Sequence, residues 1–551
     1  MLSPKAPQAP GVVAVEPQGS ASLNNDSLIS SISRNTLFGV LSNATQFLTR
    51  FATVPIVIAH LGLDGYGIWN IIMTTATYMR FGAVGVKTAY QKYVAEATGS
   101  GDYRRAAALL STGTAFMVCL SACILIPGAL YARRIVQAAG VPNSFLNSAA
   151  GAVAVLAAIM AVANVGAVFE AIVMGGHRID LVRKFSTCLT VAESVAIIGL
   201  LHLGFGLIAM AAVMGASELL YIICCYIAAY RVVPQIRIRF STVDGSMAYE
   251  LLRFAGSYQL VNLLEVFYAS VLPFAILRSY GAQMAGVYAV VTRVASTANV
   301  LQEPFLPPIL SSGAMVYARG IAESMRLLIV KAVKAALALS MPALGFIAVF
   351  GATVAFAWTG QTLGSFQTAF VLVAAKCLFA SLSLVALVLY RASGKAFLDN
   401  VRQLLRIAVI LACALFASRI GFYGLLMGLA LAEFLGMVFM MYALFRTYPA
   451  LRPLAMLLDA LKLSAATLIA LGACVAMSRV PMQLNLPARF QTAFQLGLLA
   501  GTFCLSTVLA LFLTRFVTPQ ETAAACRMAG RASRRLPAWM VPKRPVRVLG
   551  A

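Results

Sequence analysis

About fourteen apolar stretches, each long enough to cross a lipid bilayer as a helix, follow one another along this chain. Crossing the hydrocarbon core takes ~20 helical residues, and a helix satisfies its own backbone hydrogen bonds where lipid offers no partner. Of the 551 residues, 61% are hydrophobic and only 11% are charged, which excludes a soluble globular protein of this length. The sequence therefore predicts an all-α polytopic membrane protein with about fourteen transmembrane helices.

Basic residues between the apolar stretches predict how the chain is oriented. When the N-terminus is placed in the cytoplasm, most of the 42 Lys and Arg residues fall on the cytoplasmic side. We therefore expect both termini to be cytoplasmic in a bacterial cytoplasmic (inner) membrane. Residues 1–35 are predicted to form a flexible tail. Residues 517–551 are predicted to form a basic tail that meets anionic lipid headgroups rather than nucleic acid.

The sequence repeats itself at an offset of 219 residues. The matching pairs are Gly62 with Gly281, Gly67 with Gly286, and Trp69 with Tyr288. A repeat of six spans keeps its orientation, so the halves are predicted to be parallel repeats related by an axis along the membrane normal. This division gives an N-lobe at 36–240 (spans 1–6), a C-lobe at 241–450 (spans 7–12), and two added spans at 451–516.

Polar side chains within the apolar stretches concentrate on spans 1, 2, 7 and 8. Inside a membrane such groups are costly and usually face a partner or a water-filled cavity. Guanidinium groups keep their charge and match phosphate oxygens with paired hydrogen bonds, whereas amides and hydroxyls suit sugars. We predict that these helices line one cavity for an anionic substrate. Its candidate binding residues are Arg50, Arg80, Arg293, Lys87, Asn43, Gln46, Tyr258, Asn262 and Asn299.

Acidic residues in the same stretches have two possible roles. Each is either a charge partner for a nearby basic residue or a coupling site whose proton uptake accompanies transport. The main candidates are Glu265, Glu303 and Glu170. Further acids in apolar stretches are Glu193, Glu218 and Glu433.

Signatures of catalysis and cofactor binding are missing from the sequence. The three histidines, His60, His177 and His202, lack metal-ligand spacing, and the chain has no phosphate-binding loop for ATP. We therefore expect no metal, no cofactor and no enzyme activity. A membrane glycosyltransferase or polymerase, with Asp64 as its acid, is the less favoured alternative because the predicted outer loops are short.

The chain resembles the Wzx-type oligosaccharide flippases of polysaccharide biosynthesis, whose superfamily also includes multidrug extruders and lipid II flippases. The resemblance lies in the layout of spans 1–12 and in four segments: LGLDGYGIWNIIMT, GAVGVKTAYQKYVAEATGSGDYRRA, GAQMAGVYAVVTRV and EPFLPPILSS. It implies two lobes around a cavity that opens alternately to each side. It also implies an undecaprenyl-diphosphate-linked oligosaccharide as cargo, moved outwards for exopolysaccharide, O-antigen or lipopolysaccharide synthesis, with a polymerase and chain-length machinery as partners.

The resemblance also bears on the arginines. Related lipid II flippases carry essential arginines in the first, second and eighth spans, the helices that hold Arg50, Arg80 and Arg293 in this sequence. The alternative within the superfamily is an ion-coupled exporter of small molecules. Drug extruders of that kind tend to use cavity acids for cationic cargo, and the arginines argue against such cargo.

Overall fold

The computed structural model describes residues 25–80, 83–176, 178–239, 243–300, 302, 306–318, 322–392, 397–480 and 487–516. Within these ranges every regular element is a helix and no strand occurs. The predicted all-α polytopic membrane fold is therefore confirmed. Most of the N-terminal tail and all of the C-terminal tail lie outside the described residues.

Fifteen α-helices and one short 3₁₀ helix, Gly364–Phe366, make up the described chain. The α-helices are α1 Asn25–Arg80, α2 Ala83–Ser100, α3 Tyr103–Leu130, α4 Ala132–Ala138, α5 Asn143–Gly175, α6 Ile179–His202, α7 Leu207–Val232, α8 Gly245–Val300, α9 Leu306–Ala318, α10 Ala322–Thr359, α11 Gln367–Ala392, α12 Phe397–Leu415, α13 Ala417–Thr447, α14 Pro453–Ser478 and α15 Ala488–Leu513. Helix α1 begins before the predicted first span, because a helix can extend past the apolar residues that lie in lipid.

Helix α1 is a hairpin whose chain reverses at Gly62. This residue has φ +69° and ψ 177°, a backbone region essentially restricted to glycine. On the first arm, residues 25–61, the Ser42 hydroxyl hydrogen-bonds Thr187 near the beginning of α6 (2.6 Å). The His60 ring lies 4.7 Å from that of His202 at the end of α6. The first arm and α6 therefore run in parallel.

The second arm of α1, residues 63–80, returns towards the end where the first arm began. The Asn164 amide of α5 donates to the Met79 carbonyl (2.8 Å), and Val94 of α2 packs against Gly175, the last residue of α5. Helix α6 starts shortly after that residue. Helix α8 has the matching reversal at Gly281, with φ +83° and ψ 179°.

Eleven helices of the described chain are long and apolar enough to cross a membrane. Two of them, Ser42–Met79 and Leu263–Val300, contain the reversals, so each provides two crossings. Helix α12 is long enough to span but carries three charged residues, Asp399, Arg402 and Arg406. With the hairpins divided and α12 included, fourteen segments match the predicted spans in number, without counting α2, which is 18 residues long and carries Lys87, Lys92 and Glu96.

The two halves share one helix arrangement. The first arm of α8, residues 245–280, packs in parallel against α12, as the first arm of α1 packs against α6. Arg406 of α12 contacts Glu265 (3.4 Å), and farther along the Tyr280 hydroxyl donates to the Ala417 carbonyl. This correspondence supports the predicted duplication, while the lobe boundaries remain a prediction.

The second arms of α1 and α8 meet beside their reversals. A Cβ on Gly67 would overlap the carbonyl oxygen of Ala282, and a Cβ on Gly286 would overlap that of Leu63. Gly67 and Gly286 are equivalent under the repeat. Backbone therefore packs directly on backbone between the two halves, which only glycine allows.

Candidate functional site

A cavity of about 270 Å³ lies between α1, α6, α7 and the second arm of α8. Both arms of α1 line it, because the reversal at Gly62 brings them together. Met210 and Met214 of α7 provide apolar wall. The polar and aromatic lining consists of Arg50, Thr53, Tyr66, Trp69, Asn70, Glu193, Ser194 and Arg293.

Two predicted arginines, Arg50 and Arg293, share this cavity although they lie far apart in sequence. Neither has an ion-pair partner among the residues that the structure describes. The Nε of Arg293 is buried and lacks a hydrogen-bond partner in the same part of the chain. The charge of Arg50 acts on the Glu193 carboxyl without an ion-pair contact. Arg50 is exposed and Arg293 is half-buried, and guanidinium groups without an ion-paired carboxylate are suited to bind an anion.

The second arm of α1 adds aromatic and amide groups beside these charges. Tyr66 is buried, and the charge of Arg293 acts on its hydroxyl. Trp69 and Asn70 are half-buried in the cavity wall. An indole ring offers an apolar face, and an amide offers both donors and an acceptor. The cavity thus combines anion-binding groups with groups that can contact a polyhydroxylated ligand.

Asn43 and Gln46, two other predicted binding residues, do not line the cavity. The Asn43 side chain accepts a hydrogen bond from Arg183 of α6 (3.2 Å). The Gln46 amide donates to the Ser42 hydroxyl (3.0 Å), which itself contacts α6. Asn43 therefore joins α1 to α6, and Gln46 supports the Ser42 contact with α6, whereas Arg50, farther along the same arm, reaches the cavity.

Lys87 lies apart from the cavity arginines. Its Nζ is 2.6 Å from the Glu170 carboxylate, so the ion pair joins α2 to α5. The sequence leaves two roles open for Glu170, and this geometry is that of a charge partner.

A second cluster of charges is buried among α8, α12 and α13, and sequence reasoning did not place it. Arg406 donates to Glu433 (2.5 Å) and to the Gln403 side chain (2.7 Å), and its Cζ lies 3.7 Å from the ring centroid of Tyr268. Half-exposed Glu265 contacts both Arg406 and Gln403. Glu265 is therefore paired with α12 rather than with a cavity arginine.

The remaining predicted residues divide into two groups. Asn299 is half-buried on α8, and its buried Oδ1 has no hydrogen-bond partner among the described residues. Arg80, Tyr258 and Asn262 lie on described helices, but their side chains are outside the described part. Glu303 lies wholly outside the described residues.

Metal-binding clusters do not occur in the described ranges, where no three His, Cys, Asp or Glu side chains converge. His60 and His202 are neighbours, however, and each Nδ1 lies 2.8 Å from the carbonyl oxygen four residues earlier on its own helix. Their sequence spacing could not reveal this contact, because it depends on α1 packing beside α6. His177 is outside the described residues.

The chain is similar to known proteins both in family and in fold. A family model described as polysaccharide biosynthesis protein matches residues 32–314. A comparison with curated protein sequences gave no match.

Several solved structures share the fold at low sequence identity. The lipid II flippase MurJ in an inward closed conformation aligns with a TM-score of 0.65 at 11% identity, covering 86% of this chain and 99% of MurJ. An inward-facing multidrug resistance MATE transporter of the MOP superfamily gives 0.62 at 15% identity, covering 73% and 94%. A MOP superfamily transporter from Pyrococcus furiosus gives 0.56 at 16% identity, covering 76% and 95%.

Proposed function

The chain belongs to the polysaccharide biosynthesis protein family, and from this premise we propose that it flips an anionic, lipid-linked oligosaccharide across the membrane. Family and fold together support a multi-pass membrane flippase or exporter. The cargo we propose is an undecaprenyl-diphosphate-linked oligosaccharide, moved from the cytoplasmic to the outer leaflet of the inner membrane. The activity is transport, with no covalent step.

One observation carries this proposal: Arg50 and Arg293 line one cavity without ion-pair partners among the described residues. The cavity holds two guanidinium groups and one carboxylate, Glu193, so it has a net positive charge that an anion can neutralise for part of the cycle. A diphosphate presents several oxygens that can accept paired hydrogen bonds from both groups. Trp69 and Asn70 lie beside them, where sugars attached to that diphosphate would pass.

Alternating access supplies the proposed mechanism. The second arms of α1 and α8 close on each other at Gly67 and Gly286, one end of the interface between the halves. We propose that the halves, predicted as lobes 36–240 and 241–450, separate at this contact while they approach at the opposite end. The Arg50–Arg293 cavity would then face each side of the membrane in turn, with both chain termini in the cytoplasm.

We expect the double variant Arg50→Gln, Arg293→Gln to abolish surface glycan export in cells that depend on this protein. Hydrogen bonds to charged groups contribute about 1.5–3 kcal/mol, so each lost guanidinium should reduce transport about 10- to 150-fold. Arg104→Gln is the control, because Arg104 is exposed at the beginning of α3. Export is measured by quantifying surface glycan, with the membrane level of each variant checked by immunoblot.

Normal glycan export by the double variant at a normal membrane level would refute the proposed cargo site. A charge-conserving Arg50→Lys, Arg293→Lys variant should retain part of the activity, because ammonium groups still attract phosphate but lack the planar fork of guanidinium.

The alternative of a small-molecule exporter has one observation in its favour, since Glu193 lies in the same cavity and could attract a cation. It predicts that Glu193→Gln abolishes resistance to cationic drugs while the arginine double variant does not. The proposed flippase predicts unchanged drug resistance in both variants.

A further inference from the structure

A second groove lies on the outside of the first half, where the end of α5, the beginning of α6 and the end of α7 meet. Its volume is about 680 Å³. Leu181 and Phe185 of α6 form one apolar wall, and Cys224 and Ile227 of α7 form the other. The groove shares no lining residue with the cavity of Arg50 and Arg293 and borders neither α1 nor α8. It is therefore a separate site.

The apolar part of the groove continues along α7 towards the middle of the membrane. Leu220, Ile223 and Ile227 follow one another at helical steps of three and four, so they share one face. Their side chains are 51%, 52% and 45% exposed, respectively. This apolar strip on a membrane helix is suited to contact a lipid acyl chain.

Two arginines, Arg178 and Arg231, lie in the groove where α6 begins and α7 ends. Arg178 is paired with Asp180 (3.1 Å), so its charge is partly neutralised. Arg231, in the last turn of α7, is exposed and has no ion-pair partner in the described part of the chain. Lys184 lies near enough to act on Asp180. The mouth of the groove is therefore net positive, at the end of the protein that the sequence predicts to be cytoplasmic.

We propose that this groove binds one anionic phospholipid, with its phosphate between Arg178 and Arg231 and one acyl chain along Leu220, Ile223 and Ile227. Positive charge at the headgroup level and an apolar strip below it match the two parts of such a lipid. The Asp180 carboxylate and the lipid phosphate compete for Arg178, because Asp180 pairs with this arginine when no lipid is bound. The proposal does not depend on the identity of the transported cargo.

Native mass spectrometry of the purified full chain in detergent tests this site, with phosphatidylglycerol and phosphatidylcholine as probes. We expect one tightly held phosphatidylglycerol. Each basic residue near an anionic lipid contributes about a five-fold factor in affinity, so Arg178→Gln with Arg231→Gln should weaken binding about 30-fold. Arg104→Gln, an exposed basic residue at the beginning of α3, should leave binding unchanged.

Asp180→Asn is expected to change lipid affinity in the opposite direction from the arginine double variant. Removing the carboxylate frees Arg178, so phosphatidylglycerol should bind more tightly, an effect that a loss of folding would not produce. Cys224→Trp should fill the groove and weaken lipid binding while both arginines remain. Inorganic phosphate at millimolar concentration should not displace the lipid, because it lacks the acyl chain. Equal binding of both lipids, or unchanged binding in the arginine double variant, would overturn the proposal.

Discussion

Replacing Arg406 by methionine is expected to lower the free energy of unfolding by about 3–5 kcal/mol, because Glu433 would remain buried without its counter-charge. Arg406 is 3% exposed and Glu433 is 1% exposed, and their side chains are 2.5 Å apart. Methionine fills much of the volume of the arginine side chain. The loss of stability would therefore come from the missing charge and not from a cavity. The measurement is denaturant-induced unfolding of the purified protein in detergent, followed by circular dichroism.

Two further variants distinguish the effect of breaking the buried Arg406–Glu433 pair from the effect of removing any arginine. Arg326→Met removes the partner of the exposed Glu323 carboxylate (2.6 Å) and should leave the free energy of unfolding nearly unchanged, because surface ion pairs contribute little. Arg406→Met combined with Glu433→Leu removes both charges and should recover much of the lost stability. An Arg406→Met protein as stable as the parent would contradict the assigned ion pair.

Gly286→Ala is expected to open the contact between the halves. The added Cβ would overlap the Leu63 carbonyl oxygen, so the second arms of α1 and α8 must move apart. Forcing a methyl group into such a contact costs about 1–3 kcal/mol, which shifts the population away from the closed arrangement by about 5- to 150-fold. Spin labels at the exposed positions 64 and 283, in a cysteine-free background, should report a longer distance by double electron–electron resonance.

The matched control for this substitution is Gly199→Ala on α6, where a Cβ would meet nothing within 4 Å. Its spin-label distance should equal that of the parent. Gly67→Ala should reproduce the effect of Gly286→Ala, because its Cβ would overlap the Ala282 carbonyl oxygen. Unchanged distances in both interface variants would show that the backbone contact is not maintained in the membrane.

Much of the architecture could be predicted from the sequence, because membrane helices are long and glycine has a distinctive backbone. The family resemblance is confirmed by the polysaccharide biosynthesis match. The glycines paired at an offset of 219 residues proved informative, since Gly62 and Gly281 have nearly the same backbone conformation, with positive φ and ψ near 180°. Polar residues on the first and eighth spans predict that Arg50 and Arg293 share a cavity, and the two arginines line one cavity in the structure. Their role in binding cargo stays a prediction.

The pairing of charges could not be predicted from the same sequence. Arg406 and Glu433 lie on neighbouring helices of the second half, and their contact depends on how each helix is rotated about its axis. Hydropathy does not encode that rotation. For the same reason the sequence predicts one cavity for Asn43, Gln46 and Arg50 alike. The structure turns Asn43 towards α6 and Arg50 towards the cavity.

The reversal at Gly62 has a mechanical consequence for any substrate held in the cavity. Helical backbone continues up to this residue on both sides, so no slack linker separates the two arms of α1. Arg50 on one arm and Trp69 on the other are therefore joined through one glycine, and Pro55 is a further bend site between them. Arg293 lies on the second arm of α8, which is joined to its first arm at Gly281. A change of backbone angle at either glycine would alter the spacing of these three side chains, so bending there would release a ligand held between them.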